Sequence, residues 1–351
     1  MKNRFDVRLT AIPNSIWNKI SQIDELKGRW SAGTKLNPYL LGRLKGAVLV
    51  TSTGASTRIE GVNLSDADIE KFLKGRSIQK LVDRDAQEVK GYYELLENLF
   101  NSWDTIKLNE STIKHFHKEL LKYVEKDKHH LGEYKKKENK VHAVDGNGKI
   151  LGVVFDTTPA YKTPIEMQEL VEWTSKALKN KTYHPLLITA NFIIEFLAIH
   201  PFQDGNGRIS RILTNLLLLQ TGYAYIPYVS HEKLIEDNKQ GYYLALRASQ
   251  KTFRTNKESV SSWLEYFTDI FFKQTKLAIA LVEQENIEVI LSEKQSSVWK
   301  LFQEGKILTP GEITNKLLIA RPTINQILTK LLKLEKIERL GLGRAVRYRL
   351  K

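Results

Sequence analysis

The chain has 351 residues, 42% of them hydrophobic and 27% charged. That balance suits a globular protein with one main domain and a smaller one, and excludes a disordered chain. It contains no cysteine, which excludes disulfides, cysteine-ligated zinc and thiol catalysis and fits a reducing cytoplasm.

Net charge is +14, and 13 Lys and Arg against 5 Asp and Glu fall within 291–351, so more than half of the excess lies in the last sixth of the chain. A solvated basic tail and a nucleic-acid module both have this signature. The start, MKNRFDVRLTAIPNSIW, lacks the apolar run of a signal peptide. The most apolar stretches, NFIIEFLAIH and ILTNLLLLQ, are too short to span a bilayer, and no membrane partner is expected.

In chain order, the first regular signal is β-like. Lys140–Val144 and Lys149–Phe155 flank Asp145-Gly146-Asn147-Gly148, whose residues tolerate the positive φ of a tight turn, so 140–156 is predicted as a β-hairpin. Thr163-Pro164-Ile165-Glu166 has the form of a capping box with proline at the first helical position, opening a helix through EMQELVEWTSKALKN. NFIIEFLAIH is apolar at helical spacing and stops before Pro201. Ile209, Ile212, Leu213, Leu216 and Leu217 then repeat at three- and four-residue intervals, predicting a central buried helix that ends near Gly222.

The last sixty residues predict a helix over SSVWKLFQEG and a second, ITNKLL, capped by Thr309-Pro310-Gly311-Glu312. A third, RPTINQILTKLLKLEK, follows with Ile324, Ile327, Leu328, Leu331 and Leu332 inward. IERLGLGRAVRYRL reads as a hairpin turning at Gly341-Leu342-Gly343. Three helices and a basic hairpin resemble a winged helix-turn-helix, which serves either as a DNA reader or as a protein-contact module. Thr323, Asn325 and Gln326 open the third helix and are the candidate base readers.

The chemistry concentrates in HPFQDGNGRISR, His200 to Arg211. Two arginines at a helix start have the wrong sign for the helix dipole unless an anion sits there. Gly205 and Gly207 let a ligand approach the free N–H groups of that terminus. Arg208 and Arg211, three apart, would clamp further negative charge on it. Asp204, acidic among positive groups, suits a divalent cation with oxygen ligands such as Mg²⁺ on phosphates. His200, beside the cradle, is placed to take a proton from an incoming hydroxyl. DGNG occurs also at 145–148 as a turn, and neither copy completes an EF-hand loop. No P-loop and no His-Glu-x-x-His are present.

At these residues the chain resembles the Fic family, whose motif HPFx[D/E]GNGRxxR it matches throughout. The resemblance implies transfer of AMP from ATP to a Ser, Thr or Tyr hydroxyl of a protein, with release of pyrophosphate. It implies His200 as general base, Asp204 as the Mg²⁺ ligand and Phe202 as the anchor of the loop. Asn206 and the glycine amides would hold the α-phosphate, and Arg208 and Arg211 the β- and γ-phosphates. Gly207 stands where the related Doc kinases carry lysine, which argues against γ-phosphate transfer.

The likeness spans roughly 10–280. Gly132-Glu133-Tyr134 and the hairpin resemble the family's flap, with Val154 and Phe155 facing the active site, although Lys135 replaces a common arginine. Tyr242 and Tyr243 match a tyrosine pair of the adenine pocket, with Gln250 where related proteins often have asparagine. Ser56-Thr57-Arg58-Ile59-Glu60-Gly61 matches the family's inhibitory motif [S/T]xxxE[G/N], with Ser56 and Glu60 on one helix face and Gly61 at the helix end.

The reading is thus a mainly α protein: an N-terminal helical region with the inhibitory motif (1–95), a Fic-type helical core with a β-hairpin flap (96–285) and a winged helix-turn-helix domain (290–351). The function expected is a self-inhibited, cytoplasmic protein adenylyltransferase using MgATP on a protein hydroxyl. Alternatives are a DNA-binding regulator with a nucleotide-sensing Fic core, and a bifunctional enzyme that also removes AMP. Its partners are ATP, the target protein and DNA, and the reading admits a homodimer.

Overall fold

A computed structural model describes residues 3–33, 38–75, 83–144, 150–334, 336–341 and 346–351. In order they form α1 (Arg4–Arg8), α2 (Asn14–Gly33), α3 (Pro38–Ile59), α4 (Asp66–Leu73), α5 (Asp83–Ser102), α6 (Glu110–Leu121), β1 (Lys140–Val144) and β2 (Ile150–Asp156). There follow α7 (Thr163–Asn180), α8 (Pro185–Ile199), α9 (Asn206–Gln220), α10 (His231–Asp237), α11 (Lys239–Gln250) and α12 (Ser261–Ile290). The chain ends with α13 (Glu293–Gln303), α14 (Pro310–Leu317), α15 (Arg321–Lys333), β3 (Ile337–Leu340) and β4 (Arg347–Leu350). The protein is mainly α. Two compact units divide it, Met1–Ile279 and Ala280–Lys351, so the N-terminal region 1–95 shares one unit with the core and the division falls within α12. Among the described residues no helix is long and apolar enough to cross a membrane.

In the larger unit α8 and α9 pack on each other, with α7 against α8 and α3, α5 and α6 against α9. Both central helices are buried on nearly every face, as their all-round apolar sequences require. α8 ends at His200, whose φ of 53° is left-handed, and its N–H still reaches the Phe196 carbonyl. α9 begins after Gly205, at φ 78° and with no side-chain cap. Gly222, at φ 88°, follows the end of α9. α5 crosses α6 so closely that a Cβ on Gly91 would lie 2.0 Å from the Leu120 carbonyl oxygen.

The capping box expected at Thr163 does not form. α7 starts at Thr163 itself, the Thr163 hydroxyl donates to the Pro159 carbonyl, and Glu166 turns to Thr158 and Arg254. The ion pair of the buried Glu166 with the half-exposed Arg254 outweighs a cap. β1 and β2 pair antiparallel, with Val141 opposite Phe155 and His142 opposite Val153, so Val154 is the extra residue of a bulge. The turn 145–148 lies outside the described residues.

The smaller unit is built around Val298, Trp299, Phe302, Ile313, Ile324, Ile327, Leu328, Leu331 and Ile337. Four of the five positions expected to face inward on α15 are buried; Leu332 is partly so. The capping box at Thr309 and Glu312 opens α14. β3 and β4 pair antiparallel, and Leu308 bridges to Tyr348 through two 2.9 Å backbone hydrogen bonds. Of the expected hairpin turn, Gly341 is described, at φ 77°, and 342–345 lie outside the described residues.

Gly91→Ala should destabilise the larger unit by about 1–3 kcal/mol or more, because the crossing backbone of α6 must move to admit a methyl group. A shift of the urea midpoint to lower concentration at unchanged slope checks this.

Candidate active site

The loop between α8 and α9 is held open by its own side chains and by its neighbours. Phe202 is fully buried and stacks on His117 of α6, ring centroids 4.0 Å apart and planes 7° from parallel. The Asn206 amide bonds back to Phe202 at both ends, accepting from its N–H at 2.9 Å and donating to its carbonyl at 2.8 Å. That amide shapes the loop, and the second N–H of its nitrogen is not used in holding Phe202.

Sequence reasoning missed His117 and Asn139. The His117 Nδ1 accepts from Gly132 N–H at 2.9 Å, so its Nε2–H donates to the Asp204 carbonyl at 3.2 Å. The ring is therefore neutral, and burial pushes its pKa down to about 4. Asn139 donates to the Phe202 carbonyl at 2.9 Å. Lys135 donates its backbone N–H to the Pro201 carbonyl at 2.8 Å, and its buried Nζ to Ile199, Asn139 and Thr157. Burial lowers that ammonium's pKa to about 8. The segment before β1 thus straps the loop from one side. No motif marks such a strap, since the residues that make it are scattered in sequence.

His200 donates Nδ1–H to the Leu197 carbonyl at 3.3 Å, which leaves the Nε2 lone pair as its acceptor. Burial holds its pKa down at about 4, against the opposing pull of that carbonyl. Its left-handed backbone is strain placed where the chain reverses. Asp204 accepts from Gly205 N–H at 2.6 Å and meets Arg84 at 3.2 Å and Arg208 at 3.3 Å. Burial pushes the Asp204 carboxyl up, but Arg208, the Gly205 N–H and Arg84 together hold it low. As a single, partly exposed carboxylate beside the cradle it fits a Mg²⁺ ion carried mainly by phosphates. Among the described residues no cluster of three or more His, Asp or Glu offers an all-protein metal cage.

The two arginines part company. Arg208 pairs with the buried Glu88 at 2.7 Å. Arg211, 2% exposed, donates Nε–H to the Ser56 hydroxyl at 2.8 Å and its NH2 to the Ser56 carbonyl at 2.9 Å and Glu60 at 2.6 Å. Burial lowers the guanidinium's pKa, and Glu60 more than compensates, so the net shift is upward. A Cβ on Gly207 would stand 2.2 Å from that same Glu60 oxygen. The carboxylate therefore lies directly against the first turn of α9. Glu60 is the cap residue of α3: Val62 N–H bonds the Thr57 carbonyl, Gly61 N–H bonds that of Arg58, and Gly61 sits at φ 106°. That is a Schellman ending.

Tyr242 is buried, edge-on to Tyr243, and lines a small cavity with Arg211, Ser210, His231 and Trp263. Tyr243 is 40% exposed. Gln250 is buried on the same helix, its Nε2 without a hydrogen-bond partner. α11 packs against β2. Val154 and Phe155 are located here by backbone register alone, their side chains lying outside the described residues. In the smaller unit Asn325 and Gln326 are exposed on α15 and Thr323 is half-buried.

Residues 107–218 match the Fic/DOC family. A probable protein adenylyltransferase of Aquifex aeolicus is 31% identical over 125 residues, 34% of this chain and 38% of that protein. The protein adenylyltransferase Fic of Drosophila mojavensis is 29% identical over 147 residues, 40% of this chain and 28% of that protein. The matches thus span well under half of these relatives' own lengths. Among solved structures, a Fic family protein from Desulfovibrio desulfuricans superposes with a TM-score of 0.63 over 97% of both chains at 23% identity. A Fic domain containing signaling protein from Bacteroides thetaiotaomicron does so with 0.61 over 75% of this chain and 97% of its own, also at 23% identity. These two share the fold.

Because His117 and His200 are held near pKa 4 in the folded chain against about 6.5 when unfolded, unfolding takes up protons between those values. Stability should therefore fall as pH drops from about 6.5 to about 4, with no further loss from these groups below that. Urea midpoints across this range should show the decline, and His117→Gln should flatten part of it.

Proposed function

We propose that the protein transfers AMP from ATP to a hydroxyl side chain of a protein and that Glu60 restrains the reaction. The hydroxyl oxygen attacks the α-phosphorus, its proton passes to Nε2 of His200, and the bond to the β-phosphate breaks to release pyrophosphate. The N–H groups at the start of α9 receive the α-phosphate, and Arg208 and Arg211 the terminal ones. Asp204 would hold Mg²⁺, which when bound neutralises phosphate charge. Tyr242, Tyr243 and Gln250 fall on the adenine side, and Val154 and Phe155 on the target side. The adenylyltransferase names of the partial relatives support this assignment.

The observation that carries the restraint is the position of the Glu60 carboxylate, 2.6 Å from Arg211 and against Gly207. An anion already occupies the terminus meant for phosphate. ATP entering beside it must turn its phosphates, which misplaces the α-phosphorus relative to His200, and displacement of that kind costs on the order of a hundredfold in rate. Glu60→Gly should raise self-labelling from α-labelled ATP by roughly that factor while ATP affinity changes little. His200→Ala on that background should lose roughly a hundred- to ten-thousandfold. Equal labelling of wild type and Glu60→Gly at matched folded concentration removes the restraint. Undiminished labelling by the double variant removes His200 from the chemistry.

For the smaller unit we propose a winged helix that contacts DNA, on the strength of its excess of basic residues and the exposed Arg321, Asn325 and Gln326 at the start of α15. The full chain should bind duplex DNA with an affinity that falls steeply with salt, as counterions are released. Arg321→Ala should weaken binding to all sequences and lower the salt slope by about one. Asn325→Ala should blunt discrimination between sequences. Absence of salt-sensitive binding to any duplex at low ionic strength leaves a protein-contact role.

A further inference from the structure

Beneath the Arg211 pair lies a buried carboxylate that the catalytic reading leaves unused. Glu232, 1% exposed at the start of α10, accepts from Ser52 at 2.8 Å, Ser230 at 3.1 Å, Asn215 at 2.8 Å and Tyr92 at 3.3 Å. Among the described residues its ion-pair contact is His231 Nδ1 at 3.4 Å. Those donors come from α3, α5, α9 and the cap of α10. Ser52, Ser56 and Glu60 are spaced by four along α3, so they form one stripe on its core-facing side. The Tyr92 hydroxyl, which lies between Ser56 and Glu232, joins the upper contacts to the lower.

We propose that Glu232 is a positioning residue that clamps α3 to the core and thereby sets the Glu60 carboxylate on Arg211. A buried carboxylate without a lysine or arginine needs every neutral donor it has, because losing one leaves charge uncompensated where water cannot help. The Ser52 contact therefore resists any sliding or lifting of α3. Glu60 caps that rigid element, about 12 Å along the helix from Ser52 at 1.5 Å per residue. A small tilt at the clamp is carried to the site. Arg211 alone does not fix this geometry, since Glu60 stands just beyond the last helical residue of α3 and moves with the helix that carries it.

The inference rests on the restraint proposed for Glu60, and the test keeps the two apart. Ser52→Ala and Glu232→Gln are compared with wild type and Glu60→Gly in self-labelling from α-labelled ATP and in amide hydrogen exchange of residues 48–59 without nucleotide. Each clamp variant should exchange faster over 48–59 and label roughly fivefold or more above wild type, the effect of about 1 kcal/mol. On the Glu60→Gly background neither should raise labelling further, whereas damage to the cradle would lower it there. If Glu60→Gly labels strongly while folded Ser52→Ala labels as wild type, the clamp is overturned. If Glu60→Gly does not label, the restraint falls, and exchange over 48–59 alone decides the clamp, unchanged protection overturning it. Should Glu232→Gln fail to fold, Ser52→Ala, which removes a single oxygen, decides the clamp by itself.

Discussion

A buried guanidinium cannot be left without a counter-ion. Arg211 sits on the first turn of α9, where the helix terminus is itself positive, and water does not reach it. The site must therefore contain an anion at all times, and the only question is which one. In this structure it is Glu60, delivered by the end of α3, with Ser56 filling the remaining donors. Under the proposed function, the polypeptide supplies in cis what a triphosphate would supply in trans. Gly207 makes this possible, since any side chain there would push the carboxylate off the terminus.

The rest of the loop serves to keep that terminus open and bare. Left-handed backbone at His200 and Gly205 turns the chain sharply between two buried helices. Phe202 pins the turn against His117, Asn206 ties it to itself, and Lys135 and Asn139 hold it from outside. Most of the polar groups on those residues are spent on the loop backbone or on one another. What remains unspent includes the Nε2 of His200 and the N–H groups of α9, the two features that nucleotide chemistry needs.

Much of this was legible beforehand, and the reason is geometric. The central helices announce themselves because they are apolar on every face, and the motif because glycine, arginine and carboxylate recur at fixed spacing over twelve residues. Glu60 could be singled out because Ser56-Thr57-Arg58-Ile59-Glu60-Gly61 resembles the Fic family's inhibitory motif and stands N-terminal to the complete motif at 200–211. The supports could not. His117, Asn139 and Glu232 act through contacts between elements far apart in sequence, and each looks like an ordinary polar residue on its own helix or loop. The capping pattern at Thr163 failed because Glu166 had a better partner in Arg254.

The Schellman ending of α3 has an evolutionary consequence. A residue at a cap position contributes little to the helix it terminates, and glycine is welcome there. Selection for the stability of α3 therefore exerts little grip on residue 60, and what its carboxylate contributes to folding is the neutralisation of Arg211. Under the proposed restraint, a carboxylate at this position serves Arg211 and the site, and not the helix that carries it.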